Sequence, residues 1–159
     1  MEAKKIILVT GGIRSGKSRY ALSLARKKIG RKVFIATAQS LDAAMTMRIH
    51  KHREERGAAF MTIEEPLYLA KAIKAVGEGS GVILIDCLTL WVNNLLYYFK
   101  DDSKKMRNEL DLFLEILTSP PVELIMVTNE VGLGVISENS SARTFTDELG
   151  LINQQAARF

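Results

Sequence analysis

Gly11-Gly12-Ile13-Arg14-Ser15-Gly16-Lys17-Ser18 is the stretch whose residue types state their chemistry most directly. A glycine, four residues, then Gly-Lys-Ser is the spacing of a loop whose backbone N–H groups converge on phosphate oxygens. Glycines let such a loop curl, and the N-terminus of a following helix adds partial positive charge. Lys17 could then reach the β and γ phosphates of a nucleotide, and the Ser18 hydroxyl could ligate Mg²⁺. An ordinary glycine-rich turn is the alternative. Context argues against it, because a buried apolar run, Ile6 to Thr10, leads in and an amphipathic segment from Lys17 leads out.

A Mg²⁺ ion in such a site needs a second oxygen ligand at the end of a neighbouring strand. Asp86 closes the apolar run Gly81 to Ile85 and is the expected carboxylate, the competing role being the N-cap of whatever helix follows. Cys87 beside it reads as a packed small residue rather than a nucleophile, since nothing nearby would depress its pKa.

Both histidines lie in Arg48-Ile49-His50-Lys51-His52-Arg53-Glu54-Glu55-Arg56. On a helix, Arg48, His52 and Arg56 share a face, while His50 points about 200° away from His52. An imidazole between two guanidiniums suits a polyphosphate, and like-charge repulsion favours its neutral, nucleophilic form. By itself this pattern is weak, and an exposed, solvated charged face is its default reading.

The elements that must position these residues alternate as short apolar runs and longer amphipathic segments, the pattern of a parallel sheet with crossover helices. Runs Ile6 to Thr10, Val33 to Thr37, Val82 to Asp86 and Leu124 to Thr128 predict at least four strands buried on both faces. Helices are predicted over Lys17 to Lys28, Leu41 to Arg56, Pro66 to Val76, Ser103 to Leu117 and Ser140 to Ala157. Core packing accounts for the stripes Met106, Leu110, Phe113, Leu114, Leu117 and Ala142, Phe145, Leu149, Ile152, Ala156. Gly77 to Gly81 and Ser119-Pro120-Pro121 read as turns, and Lys100 to Lys105 as a mobile surface loop. Asn129-Glu130-Val131-Gly132-Leu133-Gly134 follows the fourth strand, at the sheet edge where open α/β folds bind ligands. Glu130 there could hold or polarise a water or a hydroxyl.

At 159 residues, 47% of them hydrophobic and 25% charged, the chain suits one globular domain spanning residues 1–159 rather than a disordered or disulfide-built one. One cysteine, no cleavable leader and no long apolar run point to the cytoplasm and away from a membrane span. The net charge of +4 hints at an anionic partner, but 7% aromatics and scattered basic residues argue for small phosphorylated molecules over nucleic acid.

Six stretches together resemble the bifunctional adenosylcobinamide kinase / adenosylcobinamide-phosphate guanylyltransferase family of cobalamin biosynthesis. They are Thr10 to Arg19; Ile35-Ala36-Thr37-Ala38; Met47-Arg48-Ile49 with His52-Arg53 and Arg56; Thr62 with Glu64-Glu65-Pro66; Asp86 to Trp91 with Asn94; and Val127 to Gly134. The last continues through Glu138-Asn139, Ala142-Arg143, Phe145, Asp147, Gly150 and Asn153-Gln154.

The resemblance implies an α/β fold of the P-loop NTPase, RecA-like kind, with a mostly parallel sheet and helices on both faces. The family's final strand is missing from a chain that stops at Phe159. It implies phosphorylation of adenosylcobinamide by a nucleoside triphosphate, ATP or GTP. GMP is then transferred from GTP to adenosylcobinamide phosphate through a GMP-histidine at His52. Lys17 would act with His52 in catalysis, and Ser18 and Asp86 would hold Mg²⁺. The nucleotide would be held by Gly11, Gly12, Ile13, Arg14, Ser15, Gly16, Lys17, Ser18, Ala36, Thr37, Ala38, Arg53, Glu54, Glu55, Arg56, Glu64 and Asp86. Glu64 is favoured over Glu65, which reads as the start of a helix. A homotrimer is implied as well. The sequence departs from the family pattern at Ala44, Phe60, Ser137 and Thr146. Two other readings are a P-loop regulatory module without group transfer and a small-molecule kinase without the guanylyl step.

Overall fold

The computed structural model describes residues 5–40, 43–76, 79–134 and 136–159. Five strands, β1 (Ile6–Val9), β2 (Arg31–Ala36), β3 (Met61–Glu64), β4 (Ser80–Asp86) and β5 (Leu124–Val127), form one sheet in the order β1-β5-β4-β2-β3. Every pairing is parallel. Among the described residues α1 (Lys17–Arg26), α2 (Ala43–Arg56), α3 (Leu69–Val76), α4 (Leu88–Tyr98) and α5 (Ser103–Thr118) lie between the strands, and α6 (Ser140–Ala156) follows the last of them.

Strand alternation splits the core in two. Val33, Ile35, Ile83, Ile85, Leu124 and Met126 face α3, α4, α5 and α6, while Phe34, Val82, Leu84, Ile125 and Val127 face Ala21, Leu22 and Ala25 of α1. Helices therefore cover both faces, four against one side and α1 against the other. Of the predicted stripes of the two long helices, Met106, Leu110, Phe113 and Leu117 on α5 and Leu149, Ile152 and Ala156 on α6 are buried, while Leu114, Ala142 and Phe145 are half-buried.

The structure corrects several expectations. Strand β1 lies at an edge among the described strands, so Ile6, Ile7 and Leu8 are half-buried rather than covered on both sides. Ser80 and Gly81 belong to β4 rather than to a turn; Gly77 and Glu78 lie outside the described residues, as do Leu41 and Asp42 at the start predicted for α2. Helix α3 begins at Leu69, after Pro66. Much of the predicted loop from Lys100 to Lys105 is helical, because the Asp102 carboxylate accepts the Lys105 N–H and caps α5.

Candidate active site

The glycine loop leaves β1 and turns directly into α1. Gly11 and Gly16 have φ of 154° and 89°, and a Cβ on Gly11 would lie 3.0 Å from Ser15 Oγ, so both positions call for glycine. The Lys17 ammonium donates to the Gly12 carbonyl at 2.6 Å and folds its side chain back over the loop. Gly16 is the N-cap of α1, with no side-chain capping bond and no acid in the first turn. The first N–H groups of α1 are thus left to an anion, helped by the helix dipole.

Parallel register lines up the carboxyl ends of the strands. Glu64 pairs with Ala36, Ala36 with Asp86, Asp86 with Val127, and Val127 with Val9, in one row across the sheet. Strand β5 therefore separates the strand that leads into the loop from the strand that ends in Asp86. The N-cap of α4 is Cys87, not Asp86. The peptide between them is cis. Burial, then the neighbouring Asp86 charge, pushes the Cys87 thiol up to about 11, which agrees with a packed residue and not with a nucleophile.

Helix α2 brings its last turn onto the same row. Arg53 forms an ion pair with Glu64. Arg56, only 5% exposed, lays its guanidinium 4.0 Å from the centroid of the Phe34 ring, and Phe60 packs edge-on against that ring. Burial and the charge of Arg53 lower the Arg56 pKa, while Asp86 raises it. Its buried Nε has no hydrogen-bond partner among the described residues. A solvated helix face was the plain reading of this segment, and at Arg56 the structure differs. His52 stands one turn before Arg56 within α2; the side chains of Arg48, Lys51, His52 and Glu55 lie outside the described residues. His50 and Glu54 are exposed. Glu65 accepts the Leu67 and Tyr68 N–H groups at 2.9 and 2.8 Å, so it caps the turn into α3 and leaves Glu64 as the carboxylate on the edge.

Thr37, expected among the nucleotide-binding residues, ties the loops together with Thr89, Asn94, Thr128 and Asn153, which were missed as site components. Thr37 donates its hydroxyl to the Cys87 carbonyl and accepts the Cys87 N–H, both at 2.8 Å. Asn94 donates to the carbonyls of Thr37 and Pro66 at 2.8 and 3.1 Å. Thr89 accepts the Asn129 N–H at 2.7 Å, and Thr128 donates to Asn153, whose amide donates to the Asn129 carbonyl. The available signal was a polar residue inside an apolar helix or at a strand end, where burial demands a partner. Ala36 and Ala38 sit half-buried on either side of Thr37, and Ser18 is half-buried in the first turn of α1.

A P-loop at the end of one strand, an acid at the end of another and a basic helix folded onto the same row is an arrangement for moving phosphoryl groups. Residues 7–159 match the family model described as cobinamide kinase / cobinamide phosphate guanyltransferase. The chain belongs to this family. A bifunctional adenosylcobalamin biosynthesis protein of Pseudomonas aeruginosa is 43% identical over 150 residues, covering 94% of this chain and 86% of the relative. Proteins of the same description from Escherichia coli and Salmonella typhimurium are 38% and 39% identical, each covering 96% of this chain and 90% of the relative. The family's P-loop fold agrees with the five-stranded parallel sheet. No helix among the described residues is long and apolar enough to cross a membrane.

Proposed function

We propose that the chain carries out both reactions of its family on one sheet edge. The aminopropanol hydroxyl of adenosylcobinamide is phosphorylated by ATP or GTP, and GMP from GTP is then placed on the new phosphate. The observation that carries this reading is the row of strand ends, along which the phosphate loop, Asp86 and the Arg53–Glu64 pair stand at alternate strands, β1, β4 and β3, on one edge.

In the kinase step Lys17 and the loop N–H groups hold the outer phosphates, and bond formation from the hydroxyl to the γ-phosphorus expels the nucleoside diphosphate. A hydroxyl from Ser18 and a carboxylate from Asp86 are a sparse all-oxygen set, which suits an ion that keeps waters and substrate phosphates as its other ligands. Mg²⁺ bound there would spread the negative charge of the leaving phosphates.

In the guanylyl step a neutral His52 nitrogen attacks the α-phosphorus of GTP, the bond to pyrophosphate breaks, and the substrate phosphate then displaces the histidine. By the resemblance, the guanosine would lie beside Ala36, Thr37, Ala38, Arg53, Glu54, Glu55, Arg56 and Glu64. The trimer expected from the resemblance and a cytoplasmic setting belong to the same proposal.

Incubation with α-labelled GTP tests the reading. Label should remain on the denatured protein, disappear in His52→Ala and persist in His50→Ala. Equal labelling of both variants would sink the histidine assignment and leave a kinase or a plain nucleotide-binding module.

A further inference from the structure

Four acids stand at, or within three residues of, the carboxyl end of a described strand: Glu64, Glu65, Asp86 and Glu130. Glu64 pairs with Arg53, Glu65 caps the turn before α3, and Asp86 is already proposed, with Ser18, as an ion ligand. Glu130 is left without a role. It follows β5, the strand between β1 and β4, so its segment leaves the sheet between the phosphate loop and Asp86.

Glu130 is docked there by its main chain. Its N–H donates to the Gly11 carbonyl at 3.2 Å, and two residues earlier Thr128 donates its N–H to the Val9 carbonyl at 3.0 Å. The turn that carries it is braced from behind by Thr89 and Asn153. One carboxylate oxygen, Oε1, accepts the Gly132 N–H at 2.8 Å, which holds the exposed side chain on the loop whose main chain docks on Gly11. A hydroxyl attacking the γ-phosphorus approaches from the side away from the leaving diphosphate and must lose its proton as the new P–O bond forms.

We infer that Glu130 is the catalytic residue that orients the acceptor hydroxyl of the kinase step and takes its proton. The inference rests on the bifunctional reading above and assigns Glu130 to only one of the two reactions. Electrons from the hydroxyl oxygen form the bond to the γ-phosphorus, the bond from γ-phosphorus to the β,γ-bridging oxygen breaks, and the proton passes to the Glu130 carboxylate and then to water. The guanylyl step has no hydroxyl to deprotonate, since its acceptors are an imidazole and a phosphate, so it has no use for this base.

The test compares the parent chain with Glu130→Gln, which keeps an acceptor oxygen for the Gly132 N–H but is no base. γ-Labelled triphosphate with adenosylcobinamide reads the kinase step, and α-labelled GTP without cobinamide reads formation of the protein adduct. Glu130→Gln should phosphorylate about 10²-fold or more slowly, with the KM for the triphosphate within about 2-fold of the parent and adduct formation at the parent rate. Glu130→Asp should recover part of the kinase rate. Parent-like phosphorylation by Glu130→Gln would overturn the inference, as would equal loss of both reactions, which marks a structural role for the loop. A parent chain that itself neither phosphorylates cobinamide nor takes up label would overturn the bifunctional reading instead.

Discussion

The two sides of the site are held by different parts of the polypeptide. The phosphate loop is built from main chain: glycines at positive φ, a helix N-terminus, and the backbone bond from Glu130 to Gly11. The last turn of α2 is held by side chains, through the Arg53–Glu64 pair and the stacking of Arg56 on Phe34. A backbone-built cradle keeps its shape when most of its side chains change. A helix held by two arginines can lose its position through one substitution. The phosphate loop is thereby the more permanent half, and the α2 side is the half that a single substitution can move.

Lys17→Ala is the sharpest way to break that contrast. If main chain holds the loop, removing the ammonium should slow phosphoryl transfer by about 10²- to 10³-fold, the cost of losing one preorganised charge donor. The urea midpoint should hardly move, although the bond to Gly12 goes with the side chain. A large loss of stability would show instead that this side chain holds the loop together, and the two halves would then differ less than proposed.

Cys87 sits at the seam between the halves, with its backbone locked to Thr37 and its thiol buried. In the unfolded chain the thiol ionises near 9 and in the folded protein at about 11. Below the lower value both states keep the proton and there is no effect. Between the two, the unfolded state sheds a proton that the folded state retains, so stability falls as pH rises, by about 2 to 3 kcal/mol at the upper end. Urea unfolding at pH 8 and pH 10.5 should show a flatter alkaline decline for Cys87→Ala than for the parent. Parallel declines would mean that water reaches the seam.

The same contrast explains what was legible beforehand. The phosphate loop, four of the five strands and five of the six helices follow from local pattern: a spacing of glycines, apolar runs, and stripes such as Met106 to Leu117. Strand β3 escaped because Met61-Thr62-Ile63-Glu64 alternates over only four residues at the sheet edge, with Met61, Thr62 and Glu64 exposed, so it lacks the continuous apolarity that marked the other strands. Helix α4 escaped for the opposite reason. Leu88 to Tyr98 is apolar nearly all round, following directly on a buried strand, and shows no distinct period. On the site, Asp86 was readable from its place at the end of an apolar run. Burial of Arg56 was not, because it depends on Phe34 and Phe60 arriving from elements that no local spacing connects to it. Glu130 was visible as a candidate, but its contact with Gly11 arises only when β5 inserts beside β1.

Glu64→Gln should have the smallest effect on folding and is the finest probe of the α2 side. The side chains of Arg53 and Glu64 are 49% and 56% exposed, so their pair contributes less than about 1 kcal/mol to stability, and raising the salt concentration should erase most of that. Its positional role is a different matter. Breaking the pair frees one of two anchors on the turn that follows His52, and it removes a carboxylate from the side proposed for guanosine. Adduct formation from α-labelled GTP should therefore slow several-fold more than stability alone accounts for, with a raised KM for GTP, and the slowing should persist at high salt. If labelling instead tracks the small loss of stability, Arg56 alone suffices to hold α2 in place, and the side-chain anchoring of this half reduces to one buried guanidinium on one aromatic ring.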